Sequence, residues 1–154
     1  ITKNLNIMIT KKKVYFCKDL KINKIKTIRE HNGNMIVFES NKNIPFNLKR
    51  FFYINTPKKS VRGHHAHKTC SQYLTCITGE VHVTCNDGVT KKKFTLDSPN
   101  KCLLIPPTIW AHQEYKKSNS SVLVLCDQYF TEKDYIRNYD HFIKFRKKIN
   151  EKKS

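Results

Sequence analysis

The chain has 154 residues and a formal net charge of +18, with 30 lysines and arginines against 12 acidic residues. That length suits one domain with a sizeable core. No apolar run approaches the roughly 18 residues that a membrane span needs, and no signal-peptide pattern opens the chain, so a cytoplasmic protein without membrane contact is expected. The six cysteines, Cys17, Cys70, Cys76, Cys85, Cys102 and Cys126, contain no C-x-x-C pair. Several sit in apolar stretches, where cysteine acts as a small buried hydrophobe in a reducing compartment rather than as part of a disulfide framework. The lysines are scattered (11–13, 58–59, 91–93, 147–148) with no accompanying aromatic stripe. The excess charge therefore reads as solvated surface with some attraction for an anionic substrate, not as a nucleic-acid platform.

In chain order, residues 1–13 are polar and basic with little period, an arm that is flexible or exchanged with another subunit. Residues 14–17 are a short strand candidate, 24–28 alternate weakly, and His31-Asn32-Gly33-Asn34 is a turn before a strand over 35–39. After a loop at 41–45, residues 51–54 form an aromatic strand that ends at a turn over 55–57. A histidine-bearing strand follows, then a hairpin turn at Gly79 and a return strand over 80–85. Asn86-Asp87-Gly88 is the clearest tight turn. Strands over 93–96, 102–105 and 121–126 follow, the middle one stopped by Pro106-Pro107. Short strands separated by turn signals indicate a jelly roll. The tail differs: Thr131 with Asp134 three residues on is a capping-box variant, and Tyr135, Ile136, Tyr139, Phe142, Ile143 and Ile149 recur at helical spacing. One helix over 132–147 is expected, with 148–154 a frayed basic tail. The whole of 1–154 reads as a single domain.

His65 and His67, two apart, share a face of their strand. Gln72 follows His67 after four intervening residues, and Gly79 follows Gln72 after six. This is similar to the first cupin motif, H-x-H-x4-E-x6-G, with glutamine in place of glutamate. Pro107 and His112 resemble part of the second motif, with Ile109 where its glycine belongs. The resemblance implies an all-β, cupin-type jelly-roll barrel with one C-terminal α-helix. It leaves His65, His67, Gln72 and His112 as a metal set for a dioxygenase or isomerase. A neutral amide is a poor ligand for a hard divalent ion, so metal-free acid–base use of the imidazoles is preferred.

Other residues have two readings each. The guanidinium of Arg62, just ahead of the histidines, suits a two-bond grip on phosphate or carboxylate, or a surface ion pair. Lys68 and Arg50 are candidates of the same kind. Trp110 is a stacking wall or a core residue. Tyr53 alone reads as a core aromatic beside Phe51 and Phe52.

The run Arg62-Gly63-His64-His65-Ala66-His67-Lys68, with Gln72 after it, resembles the R-G-x-H-A-H-K signature of the nucleotide-sugar 3,4-ketoisomerases, a WxcM-like cupin family. The similarity extends to Asn41-Lys42-Asn43-Ile44-Pro45-Phe46, Lys49-Arg50, Tyr53-Ile54, the turn Ile105-Pro106-Pro107-Thr108-Ile109-Trp110, Tyr129, and Asp134-Tyr135-Ile136-Arg137-Asn138-Tyr139-Asp140 with Phe142. It implies proton-transfer isomerisation of TDP-4-oxo-6-deoxyglucose, in the making of 3-amino-3,6-dideoxy sugars such as those of lipopolysaccharide. It implies His65, His67 and Tyr53 as the catalytic set, Arg62, Lys68, Gln72, Arg50 and Trp110 for substrate binding, and no metal or other cofactor. It also implies a homodimer with exchanged N-terminal strands. His64 and His112 stay outside the catalytic set. A non-catalytic sugar-binding barrel is the remaining alternative, favoured by the charge and opposed by the histidine pair.

Overall fold

The alternating apolar stretches become strands. The computed structural model describes residues 13–152. A 3-10 turn at Cys17–Asp19 leads into β1 (Ile22–Lys24), β2 (Thr27–Glu30), β3 (Gly33–Ile36), β4 (Arg50–Thr56), β5 (Ser60–His67), β6 (Gln72–Thr78), β7 (Val81–Asn86), β8 (Lys91–Leu96), β9 (Lys101–Ile105), β10 (Trp110–Tyr115) and β11 (Ser120–Cys126). A second 3-10 turn at Glu132–Asp134, a two-residue β12 (Tyr135–Ile136) and helix α1 (Tyr139–Glu151) complete the order. One antiparallel sheet runs β1-β9-β6-β11-β4, and a facing sheet runs β12-β5-β10-β7-β8, with β2-β3 a separate hairpin. This is the expected all-β, jelly-roll arrangement with one C-terminal helix.

Leu74, Cys76, Val81, Val83, Cys85, Leu103, Val122 and Val124 fill the space between the sheets. A second layer, Ile25, Ile44 and Phe46 with Phe38 and Leu48, covers Tyr73, Cys102 and Leu125 on the outer face of the first sheet. That cover explains why β6 and β11 are apolar on both faces: a sheet buried on both sides loses its alternation. On the outside of the second sheet, Ala66, Trp110 and Ile136 receive Phe142 of α1. Burying such aliphatic and aromatic side chains contributes about 1.5–3 kcal/mol each.

Three local expectations fail for identifiable reasons. Residues 14–17 form no strand, because the Asp87 carboxylate accepts the Cys17 N–H (2.7 Å) and Cys17 Sγ bonds to Cys85 O and Thr90 O, pinning the segment to the hairpin tip. The strand expected over 35–39 ends at Ile36 because Asn43 intervenes. Its side chain accepts from Glu39 N–H and donates to Val37 O, taking both out of a ladder. The helix begins at Tyr139, not near 132, and runs on to Glu151 into the region expected to fray. Asn138 is its true N-cap, accepting from His141 N–H at 3.0 Å, and Asp134 is engaged elsewhere. Arg146, buried in the last turns of α1, donates to Thr108 and to Tyr15 O and ties the helix to the barrel. No described helix is long and apolar enough to cross a membrane. Residues 1–12, most of the expected N-terminal arm, lie outside the described residues.

Candidate active site

A bulge in β5 sets which residues face the barrel. Arg62 lies opposite Gln113 of β10, yet His65 lies opposite Ala111, so His64 is the extra residue. His64 and Gly63 both adopt left-handed φ, 60° and 93°, and a Cβ on Gly63 would meet Ala111 O at 3.0 Å. Arg62 and His65 are three residues apart, and in a regular strand without the bulge they would point to opposite faces. With it, Arg62, His65 and His67 all share the inner side, Arg62 at the exposed end.

His67 is 5% exposed and its Nδ1 lies 2.8 Å from Asp134 Oδ2. A carboxylate can only accept, so Nδ1 carries the proton and Nε2 the lone pair. Asp134 Oδ1 accepts from the N–H and the hydroxyl of Thr69, both at 2.7 Å. Burial pushes the Asp134 carboxyl up, but the bonds from His67 and Thr69 outweigh it and hold it down to about 2. Burial, with the neighbouring His67 second, lowers His65 to about 4, so that imidazole is neutral at pH 7. The two rings meet edge to face at 5.1 Å. Tyr135, opposite His67 in the β12–β5 pair, packs at 4.4 Å from His67 and 5.0 Å from His65. Arg50 reaches in from β4 and donates to Cys126 Sγ at 3.6 Å, its cation close enough to act on Tyr135 electrostatically. Arg137, held by Glu132, lies 4.2 Å over the outer face of the Tyr135 ring. A small recess, about 10 Å³ or room for roughly one water, is lined by His65, His67, Cys70, Gln72, Ile105 and Gln113 among others.

The structure thus brings together His65, His67, Gln72 and Arg50, with Arg62 on the same side. Other expected site residues lie elsewhere. Tyr53 is 58% exposed, because β4 turns Arg50, Phe52 and Ile54 inward and Phe51 and Tyr53 outward. Trp110 is 7% exposed on the outer face, wedged against Tyr139 and Phe142 beneath α1, so it is core and not a stacking wall for substrate. Lys68 is occupied as a latch, its ammonium on Lys133 O at 2.9 Å. His112 also faces out, its ring stacked on His64 at 4.8 Å and 11°. The cupin ligand set is therefore dispersed: His112 is on the wrong side of the sheet and Gln72 offers a neutral amide, so these residues do not fit a metal in that mode. Asp134, Tyr135 and Arg137 are residues that sequence reasoning placed on a helix. Their one signal was membership of the Asp134–Asp140 run.

The chain is similar in sequence and fold to known proteins. The family model described as FdtA: WxcM-like, C-terminal, covers residues 18–147. A curated relative, TDP-4-oxo-6-deoxy-alpha-D-glucose-3,4-oxoisomerase of Aneurinibacillus thermoaerophilus, is 40% identical over 131 residues, 84% of this chain and 94% of its own. This chain belongs to the FdtA/WxcM-like family. Among solved structures, the sugar 3,4-ketoisomerase QdtA of Thermoanaerobacterium thermosaccharolyticum in complex with TDP is 33% identical, with a TM-score of 0.82 over 86% of this chain and 98% of that one. A 3,4-ketoisomerase of Helicobacter canadensis is 34% identical, with a TM-score of 0.81 over 84% and 98% of the two chains.

Proposed function

We propose that this protein is a sugar 3,4-ketoisomerase that moves the keto group of a TDP-linked 4-oxo-6-deoxyhexose from C4 to C3. The observation that carries the reading at the level of residues is a pair of orphans. His65 Nδ1 and His67 Nε2 are buried without a hydrogen-bond partner among the described residues. Leaving buried polar atoms unpaired costs about 1–3 kcal/mol each, and a substrate that supplies partners to both removes that cost.

The chemistry follows from these positions. The C4 carbonyl acidifies the C3 proton, and a neutral imidazole lone pair takes it, leaving an enediolate with charge on O4. The Tyr135 hydroxyl, packed against both imidazoles, delivers a proton to O4. It then accepts one from O3 as the C3 carbonyl forms, while the imidazolium returns a proton to C4. The net change moves one hydrogen from C3 to C4 and one from O3 to O4. Asp134 keeps His67 in the tautomer whose lone pair faces the recess and offsets the positive charge when that ring is protonated. Tyr135 here replaces Tyr53, and Arg62 and Arg50 give the substrate's anionic end a cationic approach. Incubation with TDP-4-oxo-6-deoxyglucose should yield a TDP-3-oxo-6-deoxyhexose by NMR. No turnover of any TDP-4-oxo-6-deoxy sugar would overturn the reading.

The active form is a homodimer with exchanged N-terminal strands. Support comes from β4, whose outer edge has no strand partner among the described residues, and from exposed Phe51, Tyr53, Met35 and Val37. An unpaired edge beside apolar side chains is a template for another copy. A monomer in sedimentation at micromolar concentration would contradict this. The six free, buried cysteines fit a cytoplasmic, reducing location.

A further inference from the structure

Behind the histidine pair, Cys70, which the isomerisation does not use, joins His67 and Asp134 in a buried cluster. His67, Cys70 and Asp134 are all buried, and one donor atom from each lies within 4.8 Å of the other two. The His67 nitrogen that faces Asp134 is Nδ1. Nitrogen, sulfur and carboxylate oxygen together are the donor set of Zn2+ and its thiophilic relatives, not of magnesium or calcium. A tetrahedral zinc site places its donors about 3.3–3.8 Å apart, given metal–ligand bonds of about 2.0–2.3 Å. The His67 Nδ1–Asp134 Oδ2 pair, now 2.8 Å apart, would open by about half an ångström, while the widest separation, up to 4.8 Å, would close by about an ångström.

The surroundings are those of a metal site. Asp134 is held by two bonds from Thr69 to its other oxygen, which leaves Oδ2 aimed at the cluster. Thr69 thus orients the carboxylate as an outer hydrogen-bond partner orients a ligand. His67 and Cys70 also line the recess, whose roughly 10 Å³ holds about one water as the fourth ligand. The Cys70 thiol donates to Ser71 O at 3.4 Å, and the neighbouring Cys126 is not part of the set, because Arg50 already occupies its sulfur at 3.6 Å.

We propose that His67, Cys70 and Asp134 form a binding site for a thiophilic divalent cation such as Zn2+, and that its occupancy shuts off the proton transfer. On binding, the Cys70 thiol gives up one proton to solvent. The His67 proton moves from Nδ1 to Nε2 as the ion takes its place between the ring and Asp134. The lone pair that faced the recess is then protonated and no longer a base. The site is distinct from the cupin set, sharing only His67 with it. The inhibitory half of the proposal rests on the ketoisomerase reading, while the binding half does not.

Cobalt(II) reports both halves. The full chain, stripped of metal, is titrated with Co2+ while thiolate-to-cobalt charge transfer and tetrahedral d–d absorption are followed, and Zn2+ is then added. The expected result is one Co2+ per chain, displaced by Zn2+. The charge-transfer band should be lost in Cys70→Ser and Cys70→Ala and kept in Cys76→Ser, a buried cysteine outside the cluster. Zn2+ should abolish at least nine-tenths of wild-type turnover, reversibly by chelation, with much less effect on Cys70→Ser relative to its own metal-free rate. Wild type without a sulfur charge-transfer band, or a band that survives in both folded Cys70 variants, overturns the site. Sulfur-ligated cobalt with undiminished turnover overturns the inhibition. Sulfur-ligated cobalt in a protein that turns over no TDP-4-oxo sugar upholds the site and sinks the ketoisomerase reading instead.

Discussion

His65 and His67 on the inner side of β5 can be set against His64 and its partner His112 on the outer side of the same sheet. Both are pairs of imidazoles in ring contact, at 5.1 Å edge to face inside and 4.8 Å stacked outside. The inner pair has one ring buried and the other half-buried, a carboxylate behind one ring, a tyrosine over both and two orphaned nitrogens. The outer pair has His64 exposed in solvent and Glu114 3.8 Å from His112. Adjacent residues of one strand thus acquire different chemistry because a single bulged residue fixes which of them face the recess. The imidazole is common to both; burial and the fixed partners make it a proton-transfer group.

The sharpest way to break this comparison is substitution on each side. His65→Asn or His67→Asn should lower kcat about 10²–10⁴-fold, the usual contribution of a positioned acid–base group. His64→Asn or His112→Asn should leave it within about twofold by the same reasoning. Equal losses on both sides in steady-state assays would abolish the distinction. Asp134→Asn comes next. An amide can donate to Nδ1 and favour the wrong tautomer, so kcat should fall by roughly 10²-fold or more with KM less affected. A shifted pH profile would separate this from a merely structural loss.

Two tyrosines sharpen the same contrast. Tyr135→Phe should slow turnover by about tenfold or more through loss of a proton relay. Tyr53→Phe should leave kcat unchanged, because that hydroxyl is on the outside of β4. The reverse ranking would restore Tyr53 to the catalytic set.

The smallest effect is thermodynamic. His65 is lowered in the folded protein from 6.5 to about 4, first by burial and then by His67. Between those values the unfolded chain binds a proton that the folded one refuses, so stability falls as pH drops from about 6.5 toward 4, by about 3 kcal/mol at most. His112 is lowered too, by partial burial and then by His64, and acts in the same direction. Asp134, depressed from 3.8 to about 2, keeps its contribution above pH 3.8 and loses it only below. Urea titrations at pH 7 and pH 4.5 should therefore show a smaller loss for His65→Asn than for wild type. An unchanged loss would mean that His65 is not held neutral by the fold.

Much of this arrangement was legible because it is local. The spacing of His65, His67, Gln72 and Gly79 and the Asn86-Asp87-Gly88 turn lie within single strands and hairpins. Parity and long-range contacts were not. In β4 the run Phe51-Phe52-Tyr53 is aromatic on both faces, so alternation could not say which ring points inward. In β10 the inward positions include Gln113, satisfied there by Tyr115, and that buried polar residue hid the strand period. Asp134 lies 67 residues from the histidine it serves, and its place after Thr131 imitates a helix cap. Trp110 was ambiguous because only α1, whose start was misplaced, shows what covers it.

The central claim is that the inner pair carries a proton between adjacent carbons of a 4-oxo sugar. The most direct test is turnover of TDP-4-oxo-6-deoxyglucose in deuterated water, followed by proton NMR at C3 and C4. The account predicts loss of the C3 proton signal and deuterium at C4 of the 3-oxo product with wild type and His64→Asn, and both slowed together in His65→Asn and His67→Asn. Undiminished exchange in both inner variants, or product formed with wild type without any solvent deuterium at C4, would contradict it.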